Sequence, residues 1–132
     1  MKRETFKIRI DQLQPTQPYL SQARLDNILR NTDFLLKPVA VIEIKGRYCI
    51  IEGHERCYAL VSAGKRDVEA YIETSAKDFP IIEKCVELTI DSGVACISDF
   101  SNRILSPSMF RQLWVQRKKE MKEKFAAKHA EG

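Results

Sequence analysis

Apolar and basic residues alternate in Phe6-Lys7-Ile8-Arg9-Ile10, the period of two that marks a half-buried strand. Pro15 and Pro18 then enforce an extended, non-helical loop. Ser21 is placed to cap a helix through about Asn31, with Ala23, Leu25, Ile28 and Leu29 as its apolar face. Val39-Ala40-Val41-Ile42-Glu43-Ile44 and Tyr48-Cys49-Ile50-Ile51 are β-rich runs on either side of Lys45-Gly46-Arg47, which predicts an antiparallel hairpin. Gly53 breaks the second run. Positions 54–63 read as a helix with Cys57, Leu60 and Val61 inward, and Gly64 is placed to end it in the left-handed conformation. Val68-Glu69-Ala70-Tyr71-Ile72 returns as a strand.

The remainder reads as helical. Positions 80–92 carry Ile81, Ile82, Cys85, Leu88 and Thr89 at helical spacing, and Gly93 stops the run. Positions 99–105 are expected to form a short helix. Ser106-Pro107 supplies a cap followed by proline at the first helical position, a strong start signal. Beyond it Phe110, Leu113, Trp114, Arg117, Met121 and Phe125 fall on one stripe that fits packing against the domain or a partner helix. The last turn, from about Ala127, is expected to fray.

Composition narrows the function. The 132 residues are 44% hydrophobic and 30% charged, enough for one core. No apolar run approaches the roughly 18–20 residues that span a bilayer, and the basic N-terminus lacks the apolar stretch of a signal peptide, so a cytoplasmic location is expected. The net charge of +4 is mild, and the excess sits in the tail: Arg111, Arg117, Lys118, Lys119, Lys122, Lys124 and Lys128 against Glu120, Glu123 and Glu131. That asymmetry fits nucleic acid or another acidic partner, and it also fits a solvated helix face, because Glu and Lys interleave at supporting spacings. Cys49, Cys57, Cys85 and Cys96 form no Cys-x-x-Cys pair, and His54 and His129 complete no zinc pattern. Cys49 and Cys57 read as small buried hydrophobes, and no metal ligands are expected.

The candidate chemistry lies at Glu52-Gly53-His54-Glu55-Arg56. A strand that ends in glycine and passes directly into a helix aims backbone N–H groups at one point, where the helix dipole favours an anion. Gly53 lets the backbone approach a phosphate closely, Arg56 can pair with it bidentately, and His54 can donate a further hydrogen bond. Glu52 and Glu55 would repel a bare anion, so they fit metal holding beside the phosphates or proton acceptance. Thr16 and Gln17 could reach the same ligand from the opposite side, with Arg24 adding charge. The same residues also fit a plain chain turn, ordinary helix positions and ordinary turn chemistry between prolines.

The wider pattern resembles the ParB/sulfiredoxin superfamily. It runs from Ile8-Arg9-Ile10-Asp11-Gln12-Leu13-Gln14-Pro15-Thr16-Gln17, through Lys37-Pro38-Val39 and an apolar strand, to Ile50-Ile51-Glu52-Gly53-His54-Glu55-Arg56, and on to Ala63-Gly64-Lys65 with a closing strand. The resemblance covers positions 6 to 72 and implies an α/β (α+β) fold, a small mixed sheet with helices. Positions 1–75 would form this nucleotide-binding domain and 76–132 a helical extension that packs on it or mediates a homodimer.

Sulfiredoxin-like members have a reactive cysteine between the glycine and histidine of the turn, whereas here His54 follows Gly53 directly. Partition proteins follow an arginine-rich turn with a helix-turn-helix domain, for which little chain remains after Ile72. Free-serine kinases carry Asp-Gly-His-x-Arg, which this turn closely resembles. In them a glutamate in the loop after the first strand is proposed as the base. Alignment through Pro15 puts Gln17 there, and an amide cannot take that proton. The resemblance thus implies binding of ATP or ADP with Mg²⁺, with transfer to a small serine-like acceptor left undecided. The alternative is a non-catalytic, DNA-associated nucleotide switch that uses the basic tail.

Overall fold

The computed structural model describes residues 4–74 and 79–130. It is a mixed α+β fold. The main sheet is built from β1 (Phe6–Arg9), β5 (Asp67–Ile72), β3 (Val39–Ile44) and β4 (Arg47–Glu52) in that spatial order. β1 runs antiparallel to β5, β5 parallel to β3, and β3 antiparallel to β4. Lys45 and Gly46 turn the β3–β4 hairpin with φ of 51° and 81°, the pair of positive angles that matches strand twist in a two-residue hairpin.

Helix α1 (Gln22–Arg30) starts where expected: the Ser21 side chain accepts the Arg24 amide. Its apolar face is narrower than expected. Leu25 is buried, whereas Ala23 and Leu29 are exposed, Leu29 by 61%. Only one side of this short helix meets α3. A single turn, α2 (Thr32–Leu35), then leads into β3. Helix α3 (His54–Ser62) buries Cys57 and Leu60 and ends at Gly64, φ 86°, where Lys65 N–H reaches the Leu60 carbonyl in a Schellman closure.

Residues on both sides of the undescribed stretch share one core. Val94, Ile97 and Phe100 are packed with Val39, Val41, Ile50, Cys57 and Leu60 on one face of the sheet. Ile42, Ile44 and Cys49 line the other face, against Ile82 and Val86 of α4 (Phe79–Asp91). Ile81 and Cys85, on another side of α4, meet Phe110, Trp114, Met121 and Phe125. The C-terminal helices therefore pack against α4, which is itself seated on the sheet, and do not project as a free arm.

Two sequence expectations fail in this half. Positions 99–105 are not one helix. Ile97–Phe100 is a 3-10 turn, and Ile104–Leu105 is β6, parallel to β2 (Leu20–Ser21). The turn starts early because Asp99 accepts the Ala95 and Cys96 amides, and the strand exists only by pairing with a segment over 80 positions away. The terminal stripe is also shifted. α5 (Pro107–Phe110) and α6 (Gln116–Ala130) are joined by a π-helical turn, Arg111–Val115, closed by Gln116 N–H on the Arg111 carbonyl. The wider turn leaves Leu113 and Arg117 exposed and brings Lys118 partly inward. α6 runs to Ala130.

Arg47 ties the loop after β1 to this assembly. It donates to the Gln12 and Leu13 carbonyls, to Gln14 Oε1 at 2.6 Å, and to the Ala95 carbonyl at 2.9 Å. Arg103 likewise bonds the Ser92 carbonyl and reaches Pro18.

Phe100 is fully buried in the core it shares with the first half of the chain. Phe100→Ala should therefore lower the unfolding free energy by about 3–5 kcal/mol in urea titration. A loss under about 1 kcal/mol would mean that the 94–100 segment is peripheral to the fold.

Candidate functional site

The β4–α3 junction forms because only glycine can occupy it. Gly53 has φ 118° and serves as the N-cap of α3, with no side chain capping the first amides. A Cβ at this position would lie 2.9 Å from Val39 Cβ and closer still to Val39 Cγ1. The backbone is thus pressed against β3, and the open end of α3 faces a cleft of about 570 Å³. Gln17, Arg24, Asn27, Lys37, Glu52 and the first turn of α3 are among its walls.

The two residues that follow Gly53 point inward and hold the walls together. His54 is 3% exposed, and its Nε2 accepts the Thr16 amide at 3.0 Å. Burial, reinforced by the nearby charges of Lys118 and Arg24, pushes its pKa down to about 3. His54 is consequently a neutral acceptor at physiological pH. Glu55 is buried as well: Oε2 accepts the Ser21 amide at 3.0 Å and stands 3.4 Å from Gln17 Nε2. Sequence reading expected Glu55 and Arg56 either at a ligand or on an exposed helix face. The carboxylate lines the cleft and also anchors the start of α1.

Arg56 lines the cleft, but one of its terminal nitrogens donates to the Lys37 and Pro38 carbonyls at 2.9 and 2.8 Å. The other lies 4.0 Å from Glu52, whose carboxylate is 72% exposed. Thr16 is buried and does not line the cleft; its hydroxyl donates to the Ile50 carbonyl at 2.6 Å. Gln17 does line it, its amide held by the Tyr19 carbonyl at 2.8 Å. Glu52, Gly53, His54, Glu55, Arg56, Gln17 and Arg24 are thus brought to one place, and Thr16 stands behind them.

Lys37 and Asn27 were not singled out from sequence. Lys37 sits beside the proline that precedes β3, a position with no signal beyond its charge. Cys57, one turn into α3, is fully buried and its thiol is pushed up to about 12, so no thiolate forms there at neutral pH. Among the described residues, no three His, Cys, Asp or Glu side chains come together as a metal cage. No helix there is long and apolar enough to cross a membrane.

The His54 geometry makes stability depend on pH. Its folded pKa is depressed from 6.5, so the unfolded chain binds the proton first and stability falls as pH drops below about 6.5. The slope is about 1.4 kcal/mol per pH unit, down towards pH 3. His54→Gln keeps an acceptor for Thr16 without the titration. The difference in unfolding free energy between native protein and variant should narrow from pH 7 to pH 4. A constant difference would mean that His54 is not buried neutral.

No family model matches this sequence, and no curated protein does. Solved structures do share the fold. Free serine kinase in complex with AMP superposes with a TM-score of 0.50 at 23% identity, over 59% of this chain and 34% of that one. A conserved hypothetical protein from Pyrococcus furiosus gives 0.50 at 24% identity, over 59% and 35%. A protein from Agrobacterium tumefaciens gives 0.52 at 22% identity, over 77% and 63%. The chain spans about a third of the length of the kinase. At these identities the likeness shows the fold alone, over 59% of this chain for the free-serine-kinase structure.

Proposed function

We propose that the cleft binds a nucleotide, with ATP or ADP first among candidates, its phosphates against the first turn of α3. One observation carries this reading: the uncapped amides at Gly53–His54 open into a cleft that Arg24, Lys37 and Arg56 also line. Backbone N–H groups, helix dipole and guanidinium groups all favour a multiply charged oxyanion there. Glu55 opposes the anion less than its charge implies, because the Ser21 and Gln17 N–H groups partly neutralise it. The AMP-bound kinase of the same fold supports the choice of an adenine nucleotide. Glu52, exposed at the cleft, is the residue that would hold Mg²⁺, which typically takes one or two carboxylates plus phosphate oxygens.

Phosphoryl transfer to a small serine-like acceptor would need a base, and Glu52 and Glu55 are the carboxylates in the lining. The packed C-terminal helices weigh against a free basic arm for DNA, the alternative of a partition-type module.

Thermal melts with AMP, ADP, ATP, CTP and GTP, each with and without Mg²⁺, test binding. A ligand at 100 times its Kd stabilises by about 2.7 kcal/mol, on the order of 10 °C for a domain of this size. Arg24→Ala should remove most of the shift and leave the free protein folded, since Arg24 is exposed on α1. No shift with any nucleotide at millimolar concentration overturns the reading.

Gln17→Glu tests catalysis. It sets a carboxylate where an amide now lies 3.4 Å from Glu55, so one of the two must keep its proton. If a base is what the native chain lacks, serine phosphorylation from ADP or ATP should rise by about 10²–10⁴-fold. Native protein that already transfers phosphate at the rate of the variant would assign the base to Glu52 or Glu55.

A further inference from the structure

A second cavity, of about 380 Å³, adjoins the cleft. Gln17, Arg24 and Ile51 line both, and the far wall of the second comes from Phe110, Trp114, Lys118, Lys119 and Lys122. Among the described residues, four cationic side chains line this space and no carboxylate does. In sequence, α6 interleaves glutamates with its lysines, so the segregation arises in the fold. Arg117, Glu120 and Lys124 face a separate groove against α4, together with Glu87 and Asp91. The π-helical turn sets this phase: it carries Trp114 into the core and brings Lys118, not Arg117, towards the site. Such turns recur at functional positions in helices. Lys118 is close enough for its charge to act on His54 at the end of α3.

Grouping like charges around a concave surface costs free energy, and an oxyanion between them relieves it. We propose that this cavity is an anion subsite that holds a multiply charged oxyanion beside the nucleotide, gripped by Arg24, Lys118, Lys119 and Lys122 over the Phe110–Trp114 floor. The inference rests on the reading that the adjoining cleft takes a nucleotide. The oxyanion has two possible sources of the same chemistry: the distal phosphates of that nucleotide, reaching past Gln17 and Arg24, or a separate acid used as acceptor.

Calorimetric titration of the full chain with AMP, with ATP, and with citrate in the presence and absence of AMP distinguishes them. Lys118→Gln/Lys122→Gln should weaken ATP binding by about tenfold or more and leave AMP binding within about twofold if distal phosphates occupy the subsite. If a separate acid does, citrate should bind the AMP-loaded protein and lose that binding in the double variant. Arg117→Gln/Lys124→Gln removes the same charge from the α4 groove and should do neither. Equal effects from the two double variants would reduce the cavity to net charge and overturn the proposal. So would native protein that binds AMP and ATP equally and citrate not at all. Citrate binding that depends on Lys118 and Lys122 with no nucleotide binding would sustain the subsite and remove the nucleotide reading.

Discussion

The hydrogen bond from the Thr16 amide to a neutral, buried His54 is the contact on which the rest of the site depends. It fixes the loop after β1 to the first turn of α3, and the next residue fixes the start of α1 through the Ser21 amide. Consecutive helix residues thus hold two separate segments, and the cleft is the space left between them. Both bonds end on backbone N–H groups, so the identities of Thr16 and Ser21 matter less than the chain path. His54 must stay uncharged for this to hold. A charged imidazole would turn an acceptor into a donor facing another donor, inside a low-dielectric interior.

The five residues of the turn divide into distinct jobs. Gly53 brings β4 against Val39, His54 and Glu55 clamp the flanking segments, and Arg56 closes the Lys37–Pro38 carbonyls over the rim. Glu52 alone keeps a largely exposed side chain. Most of what looks like a ligand-binding signature is therefore scaffold. The cations that line the cleft are Arg56 of the motif and, from outside it, Arg24 and Lys37. A motif of this kind specifies the geometry of a phosphate-sized gap more directly than it specifies chemistry.

That division explains what the sequence could disclose. Local signals were read correctly where the deciding interaction is local: the Ser21 and Ser106 caps, the Lys45–Gly46 turn, and the Gly64 and Gly93 terminations. Where a distant partner decides, the sequence was silent. β6 exists only because Leu20–Ser21 lies beside it, and Arg47 and Arg103 are structural because remote carbonyls accept from them. The gathering of residues 17, 24 and 52–56 around one cleft agrees with the sequence expectation, whereas Thr16 stands behind its wall. The inward role of Glu55 was not legible, because a glutamate in a first helical turn normally reads as solvent-facing and favourable to the dipole.

The C-terminal helices bring a second constraint to the cleft. Phe110 and Trp114 anchor them in a cluster with Ile81 and Cys85 of α4, and α4 is itself seated on the sheet. This chain of contacts fixes where Lys118 stands relative to His54. Lys118, partly buried, therefore acts on His54 from a fixed stretch of helix. His54 must remain neutral, and the cations Lys118 and Arg24 help to keep it so, since each lowers its pKa in the same sense as burial. The field that would suit the proposed oxyanion is thus the same field that preserves the clamp forming the cleft, and it is not supplied by residues 52–56 alone.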